Sequence, residues 1–263
     1  MLKRSVVGVL GILCVPSAAW AGAWTLPEGT GQWLATVTAA TSSSYFTDNG
    51  LAPTPRYNKY ELGVLIEYGL TDRLTGILNP GLQHIDIAPP TSAERTGLGY
   101  TEFGARYGFI EDPTWVVSGQ ATLRIPGAYQ TANPAAIGYT DVEADIRALL
   151  GHNFTIWDRY GFFDVEVAER IRTDGYPSEF HADATIGIKI FPRWLLLMQS
   201  FNVISEGSGI SIFGGSYDYE KLQLSAVYSL TDVWSLQFGG YTTYAGRNAL
   251  QENGVLLGVW RRF

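Results

Sequence analysis

The side chains best suited to chemistry in this chain are charged residues at alternate positions. Asp141, Glu143, Asp145 and Arg147 form one row, and Asp164, Glu166, Arg170 and Arg172 form a second. Glu61, Glu67, Glu102, Arg106, Arg124 and Lys189 recur at the same parity in other segments, as do Lys59, Arg73, His181, Asp183 and Lys221. In a strand, residues i and i+2 share a face, so each row gathers its charges on one side. Carboxylates in this pattern offer oxygen ligands to a divalent cation. Interleaved with arginines, they instead neutralise one another as a salt-bridge network or line a polar path for small solutes. Arg147, Arg170 and Arg172 lie close to the Asp141, Glu143 and Asp145 cluster, so no metal and no cofactor is expected there.

Nucleophilic hydrolysis would need a hydroxyl with a histidine base and a third orienting group. The three histidines are His84, His152 and His181, and no recognisable motif sets a serine beside any of them. The expectation is therefore a protein that is not an enzyme. An ester or lipid hydrolase that uses His84 remains the alternative, as does a structural or adhesion role.

The elements that carry these rows are strands. From Lys59 to Leu70, Tyr60, Leu62, Val64, Ile66 and Tyr68 alternate with Lys59, Glu61, Gly63, Leu65 and Glu67, which is the period-two signal of a half-buried strand. Twelve such segments are expected, near 31–46, 58–70, 73–86, 97–110, 114–126, 139–152, 159–172, 179–191, 194–205, 217–230, 232–245 and 252–263. In the ninth, Trp194, Leu196 and Met198 compete with Leu195 and Leu197 for the apolar face. Short turns follow the even segments and longer polar loops the odd ones. That asymmetry predicts an all-β transmembrane antiparallel barrel with short periplasmic turns and longer extracellular loops.

Composition narrows the class. Of 263 residues, 46% are hydrophobic and only 16% charged, below the quarter typical of soluble domains. Mean hydropathy is only +0.03, which argues against a bundle of long apolar helices. Lys3 and Arg4, the apolar run to Val15 and the Ala19-Trp20-Ala21 end read as a signal peptide over residues 1–21, leaving one barrel domain over 22–263. Two of the 18 basic residues leave with it, against 25 acidic residues, so the mature chain lacks the basic field that recruits nucleic acid. It also loses Cys14, the single cysteine, and keeps only Lys59, Lys189 and Lys221 as lysines. A soluble sandwich would be expected to expose more lysine. In lipid, a spanning sheet must close so that every backbone group is paired.

Trp24-Thr25-Leu26-Pro27-Glu28-Gly29, the turn Tyr68-Gly69-Leu70-Thr71-Asp72-Arg73-Leu74 with its later copy Tyr228 to Trp234, and the terminal Phe263 together resemble a family of Gram-negative outer-membrane proteins. Its members are labelled as components of the meta-pathway of phenol degradation, or as outer-membrane transporters. A terminal Phe on an amphipathic strand is similar to the signal that such barrels present to their assembly machinery, with Arg261 standing where an aromatic is common. The resemblance implies a cell outer-membrane location, contact with outer-membrane lipid, and passive passage of small solutes, aromatic or other small organic compounds among them. The solute path would run past Glu61, Glu67, Glu102, Arg106, Arg124, Asp141, Glu143, Asp145, Arg147, Asp164, Glu166, Arg170 and Lys189. Where the segment from Gly22 to Gly29 goes is left open.

Overall fold

A computed structural model describes residues 22–127, 135, 141–173, 175–208 and 215–263. The expected signal peptide lies outside these residues, as do parts of three expected loops. Among the described residues the strands are β1 (Gly31–Thr47), β2 (Gly50–Thr71), β3 (Leu74–Asn79), β4 (Gly81–Ile87), β5 (Ala93–Leu98), β6 (Tyr100–Glu111), β7 (Trp115–Pro126) and β8 (Glu143–Ile156). They continue as β9 (Arg159–Ile171), β10 (Glu179–Phe191), β11 (Trp194–Ser205), β12 (Asp218–Ser229), β13 (Trp234–Arg247), β14 (Ala249–Leu250) and β15 (Asn253–Arg262).

These segments make twelve staves. β3 and β4 are one stave split at Pro80, which has no N–H to give, although its carbonyl still accepts from Val64 at 3.0 Å. β5 and β6 are another, split at Gly99, and β14 is a two-residue pairing on the end of β1. All neighbours run antiparallel, and β1 pairs with both β2 and β15. The ring is therefore closed. At the seam the Gly31 N–H donates to the Phe263 carbonyl at 2.7 Å and the Phe263 N–H returns the bond at 2.8 Å. Closure joins the first and last staves, as a bilayer requires of a spanning sheet.

One end carries tight turns. Their conformation follows from short polar side chains: Asp112 accepts the Thr114 and Trp115 N–H groups at 2.8 and 2.7 Å, holding its carboxyl below the usual range through those two bonds. Thr71 and Thr231 accept the N–H two residues on, at 3.3 Å each, so shared turn chemistry accounts for the repeated Thr-Asp pair. At the other end two expected loops are largely strand. The Thr47 to Tyr57 stretch is the extended β1–β2 hairpin, turning at Asp48 and Asn49, and the Ile87 to Thr96 loop shrinks to the residues between β4 and β5. The sixth expected segment, observed as β8, also starts later than its periodicity suggests, at Glu143, so Asp141 stands in the preceding loop and not in the wall.

Residues facing outward include Val37, Leu62, Phe103, Ile146, Val167, Met198, Leu224, Phe238 and Leu257, all large, apolar and exposed. A belt this continuous would aggregate in water and suits lipid. Aromatic rings crowd its turn-side rim: Trp33 packs edge-on to Trp234, Trp115 lies 4.1 Å from His152, and Trp194 meets Tyr228 and Phe238. Such rings favour the headgroup level, where one end is apolar and the other wet.

Candidate functional site

Closure turns the second face of every stave into a lumen, and the charged rows meet there. Adjacent staves bring residues directly opposite one another: Glu102 faces Arg124, which faces Glu143, and Asp145 faces Arg170, which faces Glu179. Arg124 bonds Glu143 and lies 3.8 Å from Glu102. Arg147 meets Glu166, Asp183 at 3.0 Å and Asp145 at 3.4 Å. Arg170 reaches Asp145 at 3.2 Å and Glu179 at 3.4 Å, and Arg172 reaches Glu143 and Glu179, each at 2.8 Å. Arg106 pairs with Glu67 at 3.0 Å. The acidic cluster read as a possible cation site is thus filled by guanidinium groups.

The remaining expected residues fall apart from this network. Glu61 lines a small polar cleft with Gln83, Tyr100, Glu102 and Arg124. Lys189 stands on β10 near the turn end, in none of the ion pairs among the described residues. The Asp141 carbonyl accepts from the Tyr100 hydroxyl at 3.0 Å. Glu179 and Glu252 join the network without having been singled out: Glu179 also binds His181 at 3.0 Å, and Glu252 holds Lys221 at 3.1 Å and Lys59 at 3.5 Å near the long-loop end. Glu179 shares the parity of His181 and Asp183, a signal that was available. Glu252 opens the expected segment 252–263 at the parity opposite Val255, Leu257 and Val259, so its inward side was legible as well, although the strand itself begins at Asn253.

The opposite wall, built from β1, β10 to β13 and β15, is of another kind. It presents amides and hydroxyls, among them Gln199, Gln223 and Gln237, together with Leu34, Leu197 and Trp260, around a cavity of about 210 Å³. The amides bond mainly one another and neighbouring hydroxyls: Gln223 donates to Gln199 at 2.8 Å, Gln237 donates to Ser225 at 2.9 Å, and Gln237 accepts from the Trp260 indole at 3.1 Å. Here the ninth segment's ambiguity resolves. Leu195 and Leu197 point inward onto Phe162, Val227, Trp24 and Trp260, while Leu196 and Met198 are exposed outward.

The segment from Gly22 to Thr30 enters the lumen from the turn end. Glycine at position 69 makes room for it, since a Cβ there would collide with the Pro27 carbonyl. Gly29 donates to the Gly69 carbonyl at 3.0 Å and Gly69 to that of Thr30 at 2.9 Å. Further in, Leu26 donates to Thr75 Oγ1 at 2.8 Å, the Trp24 carbonyl accepts from Arg106 at 3.0 Å, and the Ala23 carbonyl accepts from Ser118 at 2.7 Å. Ala23 packs with Val116 and Leu149. The segment is a short plug whose polar backbone is satisfied by the wall, as burial demands.

Of the histidines, His181 is consumed by Glu179, and His152 sits among outward aromatic rings. His84 Nδ1 lies 2.7 Å from the Thr96 hydroxyl, and its other nitrogen lies 3.8 Å from the exposed Glu94.

No family model matches the sequence, and the search of curated proteins finds no match. Solved structures do match. The COG4313 outer membrane channel from Pseudomonas putida F1 superposes with a TM-score of 0.73 at 15% identity, over 92% of this chain and 98% of that one. The NanC porin gives 0.54 at 9% identity, covering 85% and 98% of the two chains, and the translocator domain of autotransporter NalP from Neisseria meningitidis gives 0.53 at 10%, covering 94% and 91%. At these identities the likeness is one of fold: this chain is a closed twelve-stranded barrel whose structural neighbours are outer-membrane barrels, channels and porins among them.

Proposed function

We propose that this protein is a passive channel of a Gram-negative outer membrane that conducts small, largely uncharged solutes along the amide-lined wall of its lumen. The observation that carries this reading is the division of the lumen. On one wall most of the charges are paired with one another, Arg147, Arg170 and Arg172 each with two or more carboxylates, so they offer little to a passing ion. On the other, neutral hydrogen-bonding groups alternate with apolar and aromatic surface around a cavity whose charged lining is Arg261 and Arg262 on the last strand. That lining suits a solute with an apolar body and one or two polar groups, including small aromatic compounds, and so agrees with the resemblance to the phenol-degradation-associated family. The tight turns would face the periplasm and the longer hairpins the exterior. The terminal strand ending at Phe263 would engage the assembly machinery, and its backbone bonds to Gly31 would then close the ring.

The test is uptake by liposomes carrying the purified protein, with single-channel conductance beside it. Small neutral solutes should enter faster than anions or cations of equal size. No uptake and no conductance would reject the channel. Ester hydrolysis lost on His84→Ala would favour the hydrolase instead.

A further inference from the structure

Asp164, on the lumenal face of β9, is 2% exposed. Its Oδ1 accepts the Ala23 N–H at 2.8 Å. Gly22 lies so close that a Cβ on it would overlap the Asp164 carboxylate, and its φ of +85° is one that glycine adopts without strain. Asp164 belongs to none of the ion pairs among the described residues, although a buried carboxylate is costly without a countercharge. The cations nearby are already engaged. Arg147 is committed to Glu166, Asp183 and Asp145, and Arg106 to Glu67, Gln120 and the Trp24 carbonyl. Glu166, two residues along the same face, lies within hydrogen-bonding reach of the Asp164 carboxyl and offers it no countercharge.

The Ala19-Trp20-Ala21 motif marks the bond after Ala21 for a signal peptidase. Hydrolysis adds water across the Ala21–Gly22 peptide bond, leaving a carboxylate on Ala21 and an amine on Gly22 that is protonated at neutral pH. We propose that this α-ammonium group is the countercharge of Asp164, so that removal of the signal peptide itself creates the ion pair that pins the plug inside the lumen. An unprocessed chain would present an uncharged amide at the same place and leave the carboxylate unpaired. Processing would thus be coupled to closure of the turn end. The proposal rests on cleavage after Ala21 and is independent of what the channel conducts.

The full precursor should be expressed in a Gram-negative host, extracted from its outer membrane, and its N-terminus read by intact mass. Reductive methylation of the folded protein then reports each amine, with Lys59, Lys189 and Lys221 as internal references. Asp164→Asn keeps an acceptor for the Ala23 N–H and removes only the charge. The Gly22 amine should be methylated at least tenfold more slowly in the wild type than in Asp164→Asn, with the three lysines unchanged. Equal rates at Gly22 would overturn the pairing, and a mature chain that starts elsewhere would overturn the cleavage on which it rests. If Asp164→Asn does not assemble, one alanine inserted between Gly22 and Ala23 decides in the same way, because it displaces the ammonium while leaving Asp164 intact.

Discussion

Arg147 meets three carboxylates from three staves, so its removal leaves Asp145, Glu166 and Asp183 facing one another without a cation. Breaking a buried pair by deleting one partner costs about 3–5 kcal/mol, and Arg147→Met should lower the urea midpoint of the folded barrel accordingly. Unfolding followed by the heat-dependent shift in gel mobility checks this, and an unchanged midpoint would mean that water screens the junction. Glu252 behaves differently because it lies outside the membrane-spanning strands. Burial alone would raise its carboxyl, but Lys59 and Lys221 hold it below its ordinary value. A group depressed in the folded state stabilises above its unfolded value and loses that contribution as pH falls through the folded one. The stability gap between the wild type and Glu252→Gln should therefore be largest near neutral pH and narrow on acidification. A gap independent of pH would show that Glu252 contributes through shape alone.

Among the elements, the N-terminal plug and the staves depend on each other unequally. The staves are held by the ladders between them, which close into a ring where β1 pairs with both β2 and β15, whereas the plug is held by side chains that the staves supply. Deleting residues 22–28 should leave the barrel folded and raise single-channel conductance several-fold, since it empties the turn end of the lumen. Conductance unchanged by the deletion would place the constriction elsewhere. The staves themselves were readable in advance because alternation is a property of the backbone pleat: every exposed apolar residue of β8, β9 and β13 has the parity expected of it. Their ends were less readable. The extension of β2 back to Gly50 depends on pairing with β1 beyond the Ser42 and Ser44 irregularity, which local polarity does not reveal.

For the molecule as a whole, the two walls predict opposite responses to charge. Gln223→Glu puts a carboxylate beside Gln199 on the amide wall, so it should shift ion selectivity toward cations and slow neutral solutes. Glu102→Gln changes a wall where Arg124 retains Glu143, and its effect on selectivity should be smaller. Reversal potentials under a salt gradient compare the two, and equal shifts would contradict a path along the amide wall.

The alternation of Glu143, Asp145 and Arg147 with Ala144, Ile146 and Ala148 determined without further help that these charges share a face, that the other face is apolar, and that a closed sheet in lipid accommodates both. Side-chain direction along a strand is local, so one segment suffices to read it. Which charge meets which was a matter of register between staves, and register needs the closed ring. The amide-lined cavity draws on staves from both ends of the chain. The seat of the plug is further still from local reading, since Ala23 and Asp164 are 141 positions apart and only the tertiary structure brings the residues ahead of β1 to a carboxylate in the middle of the wall.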